Sequence, residues 1–227
     1  MLKTFGFVLR KSDYREYDRI YTVYTSDFGK MSLLARGAKK IQSKLAPALE
    51  SFEEVRIDFA KGKVFNHLSG SISEAKNKNI FKDPEKINLS RDCLYIIDKF
   101  IKPEENDKRV FYLLEKTLSA ITGAEGDCLQ KIKIYFFWKL VEYLGYEPRL
   151  DECALCGKAS SNVKFNITEN IIICSDCIGE GIVIHENSLE NLRKIFISSL
   201  EEFLKAQSDK QLIAITEKAR QIKLSEL

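Results

Sequence analysis

Histidine is scarce in this chain of 227 residues, which has two of them, His67 and His185. Neither stands in a readable pairing with a nucleophile or a metal partner, and both are read as structural or exposed. The sequence has no G-x4-G-K-[ST], G-x-G-x-x-G, G-x-S-x-G or H-E-x-x-H. Phosphate-cradling loops, the nucleophile elbow and the helical zinc-protease pair are therefore excluded. Four prolines and eleven glycines leave no room for a low-complexity chain. No internal repeat of solenoid period is present. The longest apolar runs, such as Ile134–Leu140, are short and carry Lys139, far below the roughly 20 residues that span a bilayer. Behind Met1 there is no apolar segment with a small-residue cleavage site. These absences point to a cytoplasmic protein without catalytic chemistry of its own, whose cysteines are thiols or metal ligands rather than disulfides.

Charge is present in both signs but is unevenly placed. The net charge is +3, yet residues 1–80 hold fifteen Lys and Arg against nine Asp and Glu. From Lys30 to Lys44, the cations Lys30, Arg36, Lys39, Lys40 and Lys44 meet no acid at all. A basic patch on a nearly balanced chain suggests a polyanionic partner for one end of the molecule.

Three periodicities divide the chain. Residues 1–80 read as strand and turn, with runs at 5–10, 19–25, 30–35, 52–59 and 64–72 and turn chemistry at Ser26-Asp27-Phe28-Gly29 and Lys61-Gly62-Lys63. Five short strands predict an OB-fold barrel, a frequent nucleic-acid binder. Residues 83–145 take up the helical period. Asp83-Pro84 caps a first helix, Asn106 or Asp107 opens a second, and a third runs from Asp127 to Leu144 with dense aromatics. A further helix is expected over 188–205, and Ser208-Asp209-Lys210-Gln211 reads as a capping box for a last one. The expected class is α+β: an OB-fold domain over 1–80, a helical domain over 81–149 plus 181–227, and a cysteine knuckle over 150–180.

That knuckle carries the most specific motif. Cys153 and Cys156 form C-x2-C, and Cys174 and Cys177 form a second after seventeen intervening residues. Thiolates three residues apart on a tight turn face one ion, and four of them complete a tetrahedral zinc shell with no open position for a catalytic water. One structural Zn2+ is expected, in place of a core that so small a knuckle cannot build. Cys93 and Cys128 sit in apolar helices and are read as small buried hydrophobes.

Several ordered runs now have a common likeness. Gly6-Phe7-Val8-Leu9, Tyr14-Arg15-Glu16-Tyr17-Asp18-Arg19-Ile20, Thr25-Ser26-Asp27-Phe28-Gly29-Lys30, Ala35-Arg36-Gly37-Ala38-Lys39-Lys40 and Ser43-Lys44-Leu45 resemble the RecO family of recombination mediators. Leu144-Gly145-Tyr146-Glu147-Pro148-Arg149-Leu150, leading into Cys153, is similar to the family's segment before its zinc knuckle. The tail Arg220–Leu227 matches loosely. The resemblance implies an OB-fold, a helical domain and a zinc knuckle. It also implies binding of single- and double-stranded DNA and annealing of complementary strands. With a RecR-like partner, such proteins help load a RecA-type recombinase onto DNA coated by single-strand-binding protein. It implies too a groove for the acidic tail of that coat protein, expected on the aromatic third helix, and a nucleoid-associated location.

On the residues themselves, Arg10, Arg15, Arg19, Lys30, Arg36, Lys39, Lys40 and Lys44 are the expected DNA-binding set. Tyr14, Tyr17, Tyr21, Tyr24 and Phe28 lie among them. Some can stack on bases, although for any one of them a place in the barrel core is the expected outcome. Gly37 lets the basic loop bend close to a nucleic-acid backbone. A zinc-knuckle protein that binds RNA or the ribosome fits the same fold and motif and stays open at this point.

Overall fold

The computed structural model describes residues 1–43, 47–49, 52–73 and 77–226. Two compact units divide the chain, Met1–Ala124 and Glu125–Leu227.

In the first unit, β1 (Leu2–Asp13), β2 (Arg19–Thr25), β3 (Gly29–Ala35), β4 (Val55–Ala60) and β5 (Asn66–Ser73) close a barrel in the order β1-β2-β3-β5-β4. All neighbours are antiparallel except β3 and β5, and β1 pairs with β4 to remove the sheet edges. This is the expected OB-fold. Alternation supplies the core: Tyr21 and Val23 of β2, Met31 and Leu33 of β3, and Val55, Ile57 and Phe59 of β4 all point inward. A register shift between Val8 and Arg10 marks a bulge in β1. Without that extra residue, strict alternation would turn Arg10 into the barrel; with it, Arg10 stands outside.

Helices α1 (Pro84–Phe100) and α2 (Lys108–Gly123) follow, capped by Asp83 and Asp107, whose carboxylates accept the N–H groups of Glu85 and Arg109. Both belong to the barrel's unit, whereas the sequence periodicity grouped them with the C-terminal helices. The reason lies on the barrel wall. Tyr24 points outward from β2 yet is fully buried, with its ring against Phe111 of α2 and its hydroxyl bonded to both the N–H and the carbonyl of Asp107. Phe7 packs on the same Phe111, 5.4 Å between ring centres. Gly29 adopts φ +63°, and a side chain there would lie 2.1 Å from the Glu105 carbonyl oxygen, so the loop joining α1 to α2 passes directly over the β2–β3 turn. A helical period identifies an apolar stripe but does not say which neighbour covers it.

The second unit contains α3 (Asp127–Tyr143), a sheet of order β7-β6-β8 made of β6 (Val163–Asn166), β7 (Ile171–Cys174) and β8 (Ile182–Ile184), then α4 (Glu186–Ile197), α5 (Leu200–Phe203) and α6 (Lys210–Ser225). Its core is built on α3. Trp138 is fully buried, donates to the Thr216 hydroxyl of α6 at 3.0 Å and packs on Phe165 of β6. Two helical expectations shift. The segment 188–205 is broken at Ser198, because Ser199 and Glu202 form a capping box that starts α5. The last helix is capped by Asp209 alone, whose carboxylate takes the N–H of Leu212 together with Ser188 and Asn191; Gln211 instead bonds His185.

Candidate metal centre and nucleic-acid interface

The knuckle starts from backbone geometry. Gly157 takes φ +70° after Cys156, and its N–H donates to the Cys153 carbonyl, closing a tight turn that a β-carbon would strain. The second turn leaves the end of β7, where Cys177 N–H donates to the Cys174 carbonyl at 3.1 Å. Pairing of β6 with both β7 and β8 carries this turn to the first, and Ala154 N–H reaches the Ile172 carbonyl. The sequence showed this region only as short and polar, because strands of four residues give too few alternations to read.

The outcome is one cluster. The four sulfurs of Cys153, Cys156, Cys174 and Cys177 lie within 4.8 Å of one another, and Cys156 Sγ is 3.7 Å from Cys174 Sγ. A zinc tetrahedron with bonds of about 2.3 Å has edges of about 3.8 Å, so the spacing fits. Cys174 N–H donates to Cys153 Sγ at 3.3 Å and holds that thiol down to about 6. Hydrogen bonding of the Cys177 thiol to the sulfurs of Cys174 and Cys156 pushes it up to about 12. Four thiol sulfurs converging this closely can bind a soft or borderline metal ion. Cys93 is buried among apolar side chains and Cys128 is half-buried, and neither joins the cluster.

At one end of the barrel, two loops are tied together. Tyr14 N–H donates to the Asp18 carbonyl and closes the β1–β2 loop; Lys39 N–H donates to the Tyr17 carbonyl, and Gly37 N–H to the Asp18 carboxylate. Gly37 needs φ +65° to make that turn. Phe65, from the β4–β5 loop, meets the Tyr14 ring edge-on at 5.5 Å. Of these, the β1–β2 and β4–β5 loops are the ones that OB-folds use for oligonucleotides, and the connection after β3, with Arg36, Lys39 and Lys40, is tied to the first of them. Arg15 lies over Tyr14 and Lys40 over Tyr17, at 5.2 and 5.4 Å from the ring centres. Arg15, Tyr17, Arg36, Lys39 and Lys40 are exposed here. Asp13 moderates the patch: it accepts from Arg19 and from Lys39 at 3.1 Å each, and both cations hold its carboxyl below the usual carboxylate range.

The eight expected DNA-binding cations therefore do not share one surface. Arg15, Arg19, Arg36, Lys39 and Lys40 converge on the loop end. Lys30 does not: its side chain is 12% exposed, and its ammonium is spent on the Asp98 carboxylate and on the carbonyls of Asp98 and Ile101. Arg10 also leaves the patch, because the bulge in β1 aims it at Asp98, 2.9 Å away. Lys44 lies outside the described residues. Of the aromatics, Tyr21 and Tyr24 are fully buried, and half-buried Phe28 packs edge-on against Phe59. Tyr14 and Tyr17 alone of the five remain at the loop surface. The third helix offers no aromatic groove, since Tyr135, Phe136, Phe137 and Trp138 are all buried. Sequence reading missed Arg91, Tyr95 and Lys99, which line one stripe of α1; their four-residue spacing was the available signal.

No helix among the described residues is long and apolar enough to cross a membrane. The model of the recombination protein O N-terminal region matches residues 1–77, and that of the C-terminal region matches residues 93–224. A protein of Listeria innocua named DNA repair protein RecO is 31% identical over 206 residues, covering 88% of this chain and 79% of its own. One so named in a Thermoanaerobacter species is 27% identical over 92% of this chain and 82% of its own length. A third, from Alkaliphilus metalliredigens, is 29% identical over 79% and 73%. With both halves matched in order and the barrel and cysteine cluster in place, the chain belongs to the RecO family.

Proposed function

We propose that this protein is a DNA-binding mediator of recombinational repair, working in the cytoplasm at the nucleoid. It binds single- and double-stranded DNA through the loop end of the barrel and anneals complementary strands. With a RecR-like partner, and by contact with the tail of single-strand-binding protein, it helps load a RecA-type recombinase. The observation that carries this reading is the tied pair of loops, where Arg15, Arg36, Lys39 and Lys40 stand beside Tyr14 and Tyr17. Cations track phosphates and ring faces accept bases, the two parts that sequence-tolerant binding needs. The family name of its relatives, DNA repair protein RecO, agrees with it.

Annealing needs no energy source. Duplex formation is downhill, and a cationic surface that holds strands lowers their mutual repulsion and raises their local concentration. This accords with the lack of a nucleotide-binding motif and with a protein that is not an enzyme. The four cysteines would hold one structural Zn2+, which when bound supplies cross-linking of the two turns of the knuckle; the thiols fill its shell and leave no catalytic position.

The test is annealing of complementary oligonucleotides coated with single-strand-binding protein, without nucleotide. Acceleration is expected at low salt, falling at least tenfold on Lys39→Glu with Lys40→Glu and fading as salt rises. No acceleration, with RNA bound in preference to DNA at matched salt, would replace this reading with the RNA-binding one.

A further inference from the structure

Along α1, Arg91, Leu94, Tyr95, Asp98 and Lys99 fall at the three-and-four spacing of a single helical stripe. That stripe faces β1 and β3 across a cleft of about 660 Å³, within the size range of ligand-binding clefts. The floor is apolar, with Val8, Leu9 and Leu94. One wall is Phe81, 50% exposed and backed by buried Phe52 at 5.1 Å between ring centres. Tyr95, 48% exposed, also lines the cleft, with Lys99 Nζ 5.6 Å from its ring centre. Among the described lining residues Asp98 is the one acid, and it is matched by Lys30 and Arg10 at 3.0 and 2.9 Å. The remaining lining charges, Lys11, Arg91 and Lys99, are all positive.

A cleft with a neutralised acid, the exposed cations Arg91 and Lys99 and two half-exposed rings asks for an anion that carries a flat apolar face. An acidic peptide supplies the charge but no regular ring next to each anion. A single nucleic-acid strand supplies both in every residue. We infer that the cleft between α1 and the barrel is a second single-strand site, separate from the loop end, so that one chain holds two strands at once. This inference rests on the DNA-binding reading above. It deepens that reading by giving annealing a route that needs no self-association. The two sites share no side chain: the cleft uses Arg91, Tyr95 and Lys99, and the loop end uses Arg15, Arg36, Lys39 and Lys40.

The experiment titrates the full, metal-loaded chain at low salt with a fluorescent oligothymidylate of about eight nucleotides, and measures annealing in parallel. Wild type should take up two oligonucleotides per chain. Arg91→Glu with Lys99→Glu should take up one, with loop-site affinity unchanged, and should anneal at least tenfold more slowly. Lys39→Glu with Lys40→Glu should also take up one. Tyr95→Ala and Tyr95→Leu should each weaken the cleft site roughly tenfold while Tyr95→Phe keeps it, because leucine retains apolar packing but offers no ring face to a base. Arg91→Gln with Lys99→Gln replaces the reversal if the latter melts early. Two oligonucleotides still bound by the cleft variant, with wild-type annealing, would overturn the inference. So would loss of all binding in a well-folded cleft variant, which would mean a single continuous surface. Unchanged DNA binding with lost affinity for polyglutamate would make the cleft a peptide site instead. No uptake by wild type would defeat the DNA-binding reading itself, and with it the basis of this one.

Discussion

Asp13 shows how one carboxylate sets the strength of a cationic surface. It lies at the end of β1 and accepts from Arg19 and Lys39. Exposed pairs of this kind add little to stability, but each must be given up before its cation can meet a phosphate. Asp13→Asn should therefore tighten single-strand binding roughly three- to ten-fold at low salt, with a gain that shrinks as salt screens it. Fluorescence anisotropy checks it, and unchanged or weaker binding would remove Arg19 and Lys39 from the contact set. The pH dependence has a definite sign. Arg19 and Lys39 lower the Asp13 carboxyl in the folded protein. Its pairing is thus complete above the ordinary carboxylate value and is lost only as pH falls through the lowered one. Between pH 5 and 8 Asp13 should add no pH dependence to DNA affinity. Lys30 makes the complementary point: the same residue type, seen in sequence as part of the same acid-free run, is partly buried as a strut between β3 and α1. Charge is legible in a sequence, but whether it is already spent is not.

With the four cysteines holding zinc as proposed, the knuckle would be the element whose stability depends most on the ion. Strands of four, four and three residues are too short to hold a sheet by themselves. One side of it is supported by Phe165 against Trp138; the turns at Cys153–Gly157 and Cys174–Cys177 have the sulfurs as their common contact. Removing the metal by chelation, or one ligand by Cys174→Ser, should cost roughly 3 kcal/mol and lower the melting temperature by about 6–12 °C. Hydrogen exchange should quicken first at Ala154 and Cys174, while β1–β5 keep their protection. Zinc bound at one ion per chain and unaffected melting on its removal would contradict a stabilising role. At this scale the cysteine spacing was fully readable, since it is set by ligand geometry, and so were the barrel strands and the cap at Asp83, while the second cap was narrowed to Asn106 or Asp107 and the structure selects Asp107. The pairing of β6 with β7 and β8 was not, because short strands give no period. The transfer of α1 and α2 to the barrel was equally hidden, because it depends on Phe111 meeting Phe7 and Tyr24 from a distant part of the chain.

For the molecule as a whole, net charge says less than its division, with Arg15, Arg19, Arg36, Lys39 and Lys40 at the barrel's loop end and Arg91 and Lys99 along the cleft beside α1. That arrangement turns salt into a meter. Five cations reach the loop end; Arg19 and Lys39 are engaged by Asp13, which leaves Arg15, Arg36 and Lys40 to release counterions at once. On a single strand each neutralised phosphate contributes a slope of about −0.7 in log affinity against log salt. With the cleft silenced by Arg91→Glu and Lys99→Glu, the slope should be about −2. Adding Asp13→Asn should steepen it toward about −3.5, because two more cations become available. Restoring Arg91 and Lys99 should add the cleft's own contribution for strands long enough to occupy both sites. A slope near zero in every variant would mean that these cations only solvate the surface, and that the chain serves its family through protein contacts instead. A slope unmoved by Asp13→Asn, with the rest as expected, would keep the loop end as the binding surface and place Arg19 and Lys39 outside it.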